Sequence, residues 1–129
     1  MSDGFYRLAF LIGSIFNVLA GLLCIIFYRL SLEVFFGPGV DPENLVAALF
    51  YRLFMVAVMV FGVGYFLVYL NLQKNRAIVW LGSLSKLILL IVFSACVLSG
   101  SATIYLLIAV LPDFLFMLVY FLFLWQRRA

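Results

Sequence analysis

Four long apolar runs, separated by short polar connections, dominate this sequence of 129 residues. They cover roughly positions 8–28, 45–70, 77–98 and 102–125. A helix needs about 20 mainly apolar residues to cross a hydrocarbon core of about 30 Å, and each run meets that requirement. The sequence therefore predicts an all-α polytopic membrane protein, in which residues 1–129 form one antiparallel bundle of four transmembrane helices.

The composition excludes the soluble alternatives. Hydrophobic residues make up 69% of the chain and charged residues 10%, whereas an ordinary soluble domain is about 25% charged. A soluble chain of this size buries about two-thirds of its surface at most, so much of the apolar excess would face water. A disordered chain needs high charge and low hydrophobicity, which is the opposite pattern.

The charged and metal-binding residue types narrow the function further. The net charge is +3, but the cations are scattered rather than gathered into a basic stripe, so no nucleic-acid partner is predicted. Histidine is absent from the sequence, and Cys24 and Cys96 have no neighbours at metal-ligand spacing. We therefore predict no metal site and no cofactor. The depths of the two cysteines are compatible with a disulfide, although free cysteine commonly serves as a small buried apolar residue.

The distribution of cations predicts the orientation in the membrane. One side of the predicted bundle, with both termini, carries Arg7, Lys74, Arg76, Arg127 and Arg128. The other side carries Arg29 and, by one of two alternatives, Arg52. Cytoplasmic loops are enriched in Lys and Arg, so both termini are predicted to be cytoplasmic.

The longest connection contains residues that typically end and start helices. Gly37-Pro38-Gly39 interrupts any helix, and Asp41-Pro42 resembles an N-cap followed by a proline in the first turn, which predicts that the second long helix begins near Pro42. The segment LSLEVFF at 30–36 has two interpretations: a short amphipathic helical turn at the interface or an ordered loop.

Ionisable residues inside the apolar runs are the main functional signal, because each costs on the order of 2.5–3.5 kcal/mol at the bilayer centre. Lys86 lies about 18 Å, and Asp113 about 15 Å, below the same end of the bundle. The two runs are joined by a few residues, so we predict a Lys86–Asp113 ion pair. Asn17 lies at a related depth of about 16 Å in the first run.

Arg52 and its neighbour Tyr51 complete the candidate set. If the second span crosses from Leu53, Arg52 is interfacial and points outward; if it crosses from Leu45, Arg52 is buried by about 10 Å. The predicted ligand-binding residues are Asn17, Tyr51, Arg52, Lys86 and Asp113, and no catalytic residue is assigned.

These polar residues support two interpretations. A buried ion pair and an asparagine can simply fix the helix register. The functional interpretation depends on the charge of Arg52, Lys86 and Asp113 together, which is +1 and would favour an anionic headgroup, a carboxylate or a polarised carbonyl. Pro112 adds local opening of the helix beside the carboxylate.

Small residues predict close helix packing. Gly13, Asn17, Gly21 and Cys24 share one face of the first run, and Gly62 and Gly64 lie in the second. Such stripes let membrane helices approach closely, whether within the chain or between chains.

The layout resembles the small uncharacterised DoxX-like bacterial membrane proteins. The resemblance rests on Arg52 at the head of the second span, Gly62-Val63-Gly64-Tyr65 within it, Gly82-Ser83-Leu84-Ser85-Lys86 in the third span and Pro112-Asp113 in the fourth. It implies an integral protein of the bacterial inner membrane.

Three functions are compatible with these features. In the first, which we favour, the protein binds or moves an anionic or carbonyl-bearing lipophilic ligand. In the second, it is a non-catalytic accessory or assembly subunit of a larger membrane complex or a homo-oligomer. The third, an enzyme that uses Asp113 and Lys86 as acid and base, has the least support, because no nucleophile–base pair or cofactor motif accompanies them.

Overall fold

A computed structural model describes residues 2–127, which form five α-helices and no strands. These are α1 (Asp3–Ile26), α2 (Tyr28–Phe36), α3 (Leu45–Leu70), α4 (Arg76–Leu98) and α5 (Ile104–Gln126), with a short 3-10 turn at Gly37–Gly39. Four of the helices, α1, α3, α4 and α5, are long and apolar enough to cross a membrane. The predicted all-α four-helix membrane bundle is confirmed.

Polar side chains cap the starts of α1 and α3. Ser2 Oγ accepts a hydrogen bond from the backbone N–H of Phe5 at 3.2 Å, and Asn44 Oδ1 accepts one from Ala47 at 3.1 Å. Asn44 is thus the N-cap of α3, and the prediction that this helix begins near Pro42 is wrong. Asp41 Oδ1 instead accepts from the N–H of Glu43 at 2.9 Å, which closes a separate turn before the helix.

The segment after α1 is a helix rather than a loop. The end of α2 is fastened to the start of α5, where the Thr103 N–H donates to the Phe35 carbonyl at 2.8 Å. The Thr103 hydroxyl donates to the carbonyls of Phe35 and Val34. We call this end of the bundle the α2 end. At the opposite, terminal end, Arg127 and Asp3 form an ion pair at 2.9 Å that joins the start of α1 to the residue that follows α5.

The bundle consists of two antiparallel helix pairs, α1 with α3 and α4 with α5. Glycines allow α1 and α3 to pack closely, as the sequence predicts. A Cβ atom added to Gly62 would lie 2.7 Å from Val18 Cγ2 and 3.0 Å from the Ser14 carbonyl oxygen. One added to Gly21 would lie 2.8 Å from the Met55 carbonyl oxygen.

An aromatic cluster joins the two pairs at the terminal end. Its fully buried rings are Tyr6, Phe10, Tyr65, Tyr120 and Phe123. Phe10 stacks on Tyr120 with ring centroids 4.5 Å apart, and Tyr65 lies 5.0 Å from the same ring. Burial of rings from α1, α3 and α5 therefore stabilises contact between the pairs at this end.

The two cysteines are free thiols. Cys24 and Cys96 are both half-buried and form no disulfide. They agree with the prediction of small apolar residues on the helices.

Candidate ligand-binding site

The centre of the site is an ion pair between the two helices of the α4–α5 pair. Lys86 Nζ donates to Asp113 Oδ1. The two side chains differ in accessibility, since that of Lys86 is 5% exposed and that of Asp113 is 26% exposed. A ligand can therefore reach the carboxylate of Asp113 more easily than the ammonium of Lys86.

Asn17 connects this pair to the other half of the bundle. Lys86 Nζ donates to Asn17 Oδ1 at 3.3 Å, and Asn17 Nδ2 donates to the Val58 carbonyl at 3.2 Å. The side chain of Asn17 thus bonds to both α4 and α3. The structure brings together three of the five residues predicted from the sequence.

The Lys86 ammonium is also bordered by aromatic rings. Its Nζ lies 5.3 Å from the centroid of the Tyr65 ring and 6.0 Å from that of Phe116. A cation at this distance from a ring face is stabilised by the ring quadrupole. These contacts help offset the cost of desolvating a lysine on an apolar helix.

A cavity of about 390 Å³ extends from the ion pair to the α2 end. Its polar lining is formed by Asn17, Tyr51 and Asp113. The rest is apolar, with contributions from every helix, and the aromatic members are Phe16, Phe35, Phe36, Phe50, Phe54 and Phe93. We call this space the α2-end cavity.

A second cavity of about 280 Å³ adjoins the first. It is lined by Lys86, Ser85, Tyr65 and neighbouring apolar residues of α3 and α4. Asn17 and Asp113 line both cavities. The polar group therefore lies where the two spaces meet.

Tyr51 lines the α2-end cavity away from the ion pair. Its hydroxyl is 2.5 Å from Ser31 Oγ, and its ring packs edge-to-face on Tyr28 with centroids 5.5 Å apart. The same hydroxyl of Ser31 also donates to the Tyr28 carbonyl. Tyr51 thus fixes the start of α2 while one side of its ring faces the cavity.

Arg52 is not brought to this site. Although α3 begins at Leu45, as in the alternative that would bury Arg52, the side chain is exposed on the outer surface of the bundle. Its guanidinium carbon lies 4.7 Å from the centroid of the Tyr28 ring, and it lines neither cavity. The site charge of Lys86 and Asp113 alone is zero, so the +1 on which an anionic ligand depended is not present here.

Sequence reasoning missed most of the cavity wall and one buried hydroxyl. The lining phenylalanines carry no positional signal, because the chain contains 15 phenylalanines in all. Ser83, which lies one turn before Lys86, is fully buried, and its Oγ has no hydrogen-bond partner among residues 2–127. Its place in the GSLSK segment beside Lys86 is the signal that could have drawn attention to it.

The hydrogen-bonding capacity of the site defines what it can recognise. An ammonium has three donors and a carboxylate has about four acceptor positions; within the described chain Lys86 uses two donors, and Asp113 accepts one bond. The amide of Asn17 retains one N–H besides the one bonded to Val58. The site can therefore accept a hydroxyl hydrogen or donate to a carbonyl oxygen.

Comparisons with protein-family models, curated proteins and solved structures give no match to this chain.

Proposed function

We propose that this protein binds a lipophilic molecule whose polar head carries a carbonyl or hydroxyl group and no charge. The head would lie against Asn17 and Asp113, and the apolar part would occupy the α2-end cavity. The observation that carries this proposal is that a partly exposed carboxylate, Asp113, and a neighbouring amide, Asn17, line both of two adjoining, mainly apolar cavities.

The charges of the site favour a neutral ligand over an anionic one. Lys86 and Asp113 neutralise each other, and Arg52 lies on the outer surface. An anionic head entering the α2-end cavity would meet the carboxylate of Asp113 before the covered ammonium of Lys86. Like charges in a medium of low dielectric constant repel strongly, whereas a neutral carbonyl or hydroxyl can use the unoccupied donors and acceptors.

The dimensions and lining of the cavity support the same class of ligand. Sites for small molecules are typically about 300–1,000 Å³, mainly apolar, with a few polar groups that fix orientation. The α2-end cavity has this character, since aromatic and aliphatic side chains surround its few polar groups. An acyl, prenyl or ring system would be stabilised there by burial of apolar surface.

The fold supports a location of the site within the membrane. The four long apolar helices support an integral membrane protein, and Lys86 and Asp113 are near the middle of α4 and α5. We extend the proposal to the orientation: Arg7, Lys74 and Arg76 at the terminal end favour cytoplasmic termini. Arg128, which contributed to the same count, lies outside the described residues. The bacterial inner membrane remains the proposed location.

Lipid mass spectrometry of the protein purified in mild detergent tests this function. The wild type should retain a neutral lipophile at a fixed ratio to protein. Ala109→Trp, which fills the α2-end cavity from α5 without replacing an ion-pair residue, should lose it. Ala95→Trp is the matched control, because Ala95 is exposed and does not line either cavity.

Two outcomes would contradict the proposal. One is a wild-type protein that carries no lipophile above the background of bulk lipids, and the other is equal retention by Ala109→Trp and Ala95→Trp. A second protein present at fixed stoichiometry, with no bound lipophile, would instead identify an accessory subunit.

A further inference from the structure

Arg52 is an exposed cation on a helix face that is otherwise apolar. Its neighbours along that face, Leu49, Leu53 and Val56, are each about half exposed. The residue is seven positions past the start of α3, about 10 Å along the helix. In a membrane protein such a face contacts lipid, where the polar atoms of an arginine need partners from headgroups or water.

The protein supplies Arg52 with an aromatic surface but no acceptor. The guanidinium lies over the Tyr28 ring at 4.7 Å, and within residues 2–127 its nitrogens form no hydrogen bond or ion pair with protein oxygen. The other long-chain cation nearby, Arg29, is paired with Glu43. All five N–H donors of Arg52 are therefore open to an external acceptor.

The height of the guanidinium in the bundle indicates which acceptor is within reach. Tyr28 is the first residue of α2, and its hydroxyl donates to the Pro42 carbonyl at 3.2 Å. Arg52 thus extends from the side of α3 towards the α1–α2 connection, where the long apolar helices end. Headgroups of surrounding lipids lie at that level, and arginine side chains near helix ends extend towards it.

We propose that Arg52, held over the ring of Tyr28, binds the phosphate of a phospholipid headgroup at the α2 end. The planar guanidinium matches two phosphate oxygens with two parallel N–H donors. Tyr28 restricts the side chain through a cation–π contact, so less conformational freedom is lost on binding. This site lies on the outer surface and does not depend on a ligand in the α2-end cavity.

Native mass spectrometry with added phosphatidylglycerol tests the site directly. Arg52→Gln should weaken retention of the first bound phosphatidylglycerol by about tenfold or more, because a charge-assisted hydrogen bond is worth at least that factor. Lys74→Gln removes the same charge from an exposed residue between α3 and α4. It should change retention less than twofold, because it weakens only the non-specific attraction between the positively charged protein and the anionic lipid. Arg52→Lys should give intermediate retention, because lysine keeps the positive charge but lacks the two parallel N–H donors of the guanidinium.

A second measurement separates the lipid from a free anion. Inorganic phosphate at the same concentration should neither displace phosphatidylglycerol nor raise the melting temperature of the wild type. The proposal is overturned if Arg52→Gln retains the lipid as well as the wild type, if Lys74→Gln loses it equally, or if inorganic phosphate competes at equal concentration. Arg52 is exposed, so Arg52→Gln should fold normally. A monodisperse size-exclusion profile will check that it does.

Discussion

Asn17 on α1 and Lys86 on α4 are joined by a hydrogen bond at 3.3 Å, although the backbones of these two helices make no close contact in the described part of the chain. The long lysine side chain therefore reaches from one helix pair to the other. Lys86 also pairs with Asp113 on α5, while Asn17 bonds to Val58 on α3. One small polar group thus connects all four long helices.

Asp113→Asn should destabilise the protein strongly. The change leaves the Lys86 ammonium buried without its counter-ion, and breaking a buried ion pair from one side costs about 3–5 kcal/mol. We expect a value near the lower limit, about 3 kcal/mol, because Asn17 still accepts from Lys86. Thermal unfolding in detergent, followed by circular dichroism, measures the loss. An unchanged melting temperature would show that Lys86 finds another partner.

The double variant Lys86→Met, Asp113→Leu should recover most of that stability. Replacement of a buried ion pair by apolar residues of similar volume is often neutral or stabilising by about 1–4 kcal/mol. Retention of the bound lipophile, however, should be lost, because the double variant has no carboxylate to accept its hydroxyl. A stable double variant that still retains the lipophile would show that the ion pair is not needed for ligand binding.

Gly62→Ala should separate α1 from α3. The new methyl group would lie 2.7 Å from Val18 Cγ2 and 3.0 Å from the carbonyl oxygen of Ser14, and the backbone oxygen has little freedom to move. We expect a loss of about 1–3 kcal/mol, typical of overpacking. Gly64→Ala is the matched control on the same helix, since its methyl group would meet a single side-chain atom, Ile78 Cγ2 at 3.1 Å, and no backbone atom of another helix. If both variants unfold at the same temperature, close α1–α3 packing at Gly62 is not a stability determinant.

Thr103→Val should loosen α2. The substitution preserves shape but removes the hydroxyl that donates to the carbonyls of Val34 and Phe35, at a cost of about 1 kcal/mol. Hydrogen exchange should accelerate across residues 28–36 while the terminal end stays protected. Ser99→Ala removes a hydroxyl at the same end that bonds to Cys96 and Ser101 instead, so exchange in α2 should not change.

Cysteine labelling will test the orientation. In a Cys24→Ala, Cys96→Ala background, Gly39→Cys should react with a membrane-impermeant maleimide in intact cells, because residue 39 lies at the α2 end. An added Cβ there meets no atom within 4 Å, so the substitution is tolerated. Lys74→Cys, between α3 and α4, should react only after permeabilisation. The reverse pattern would place the termini outside.

The spans and the depth of the polar residues could be predicted because both depend only on the position of a residue along the chain. Hydrocarbon thickness fixes the length of an apolar run, and the rise of about 1.5 Å per residue converts position into depth. Asn17, Lys86 and Asp113 were expected at related depths, and the structure places them together. The start of α3 was misplaced because Asp41 closes a local turn, which competes with helix capping.

The direction in which each residue faces could not be predicted in the same way. In a soluble helix, polar residues mark the outer face, but lipid-facing and core-facing positions of a membrane helix are both apolar. The sequence therefore gave no means to decide that Tyr51 faces the interior and Arg52 the outside. The α2-end cavity is equally hidden, since it depends on how far apart two helix pairs lie and not on any single residue.

The contrast between the filled terminal end and the hollow α2 end makes the stiffness of this bundle uneven. Interlocked rings such as Phe10 and Tyr120 leave little room for the helices to shift at one end. At the other end, the space between the pairs is bridged by α2 through Thr103. We therefore expect the two helix pairs to pivot about the packed tyrosines at the terminal end and to separate most readily beneath α2.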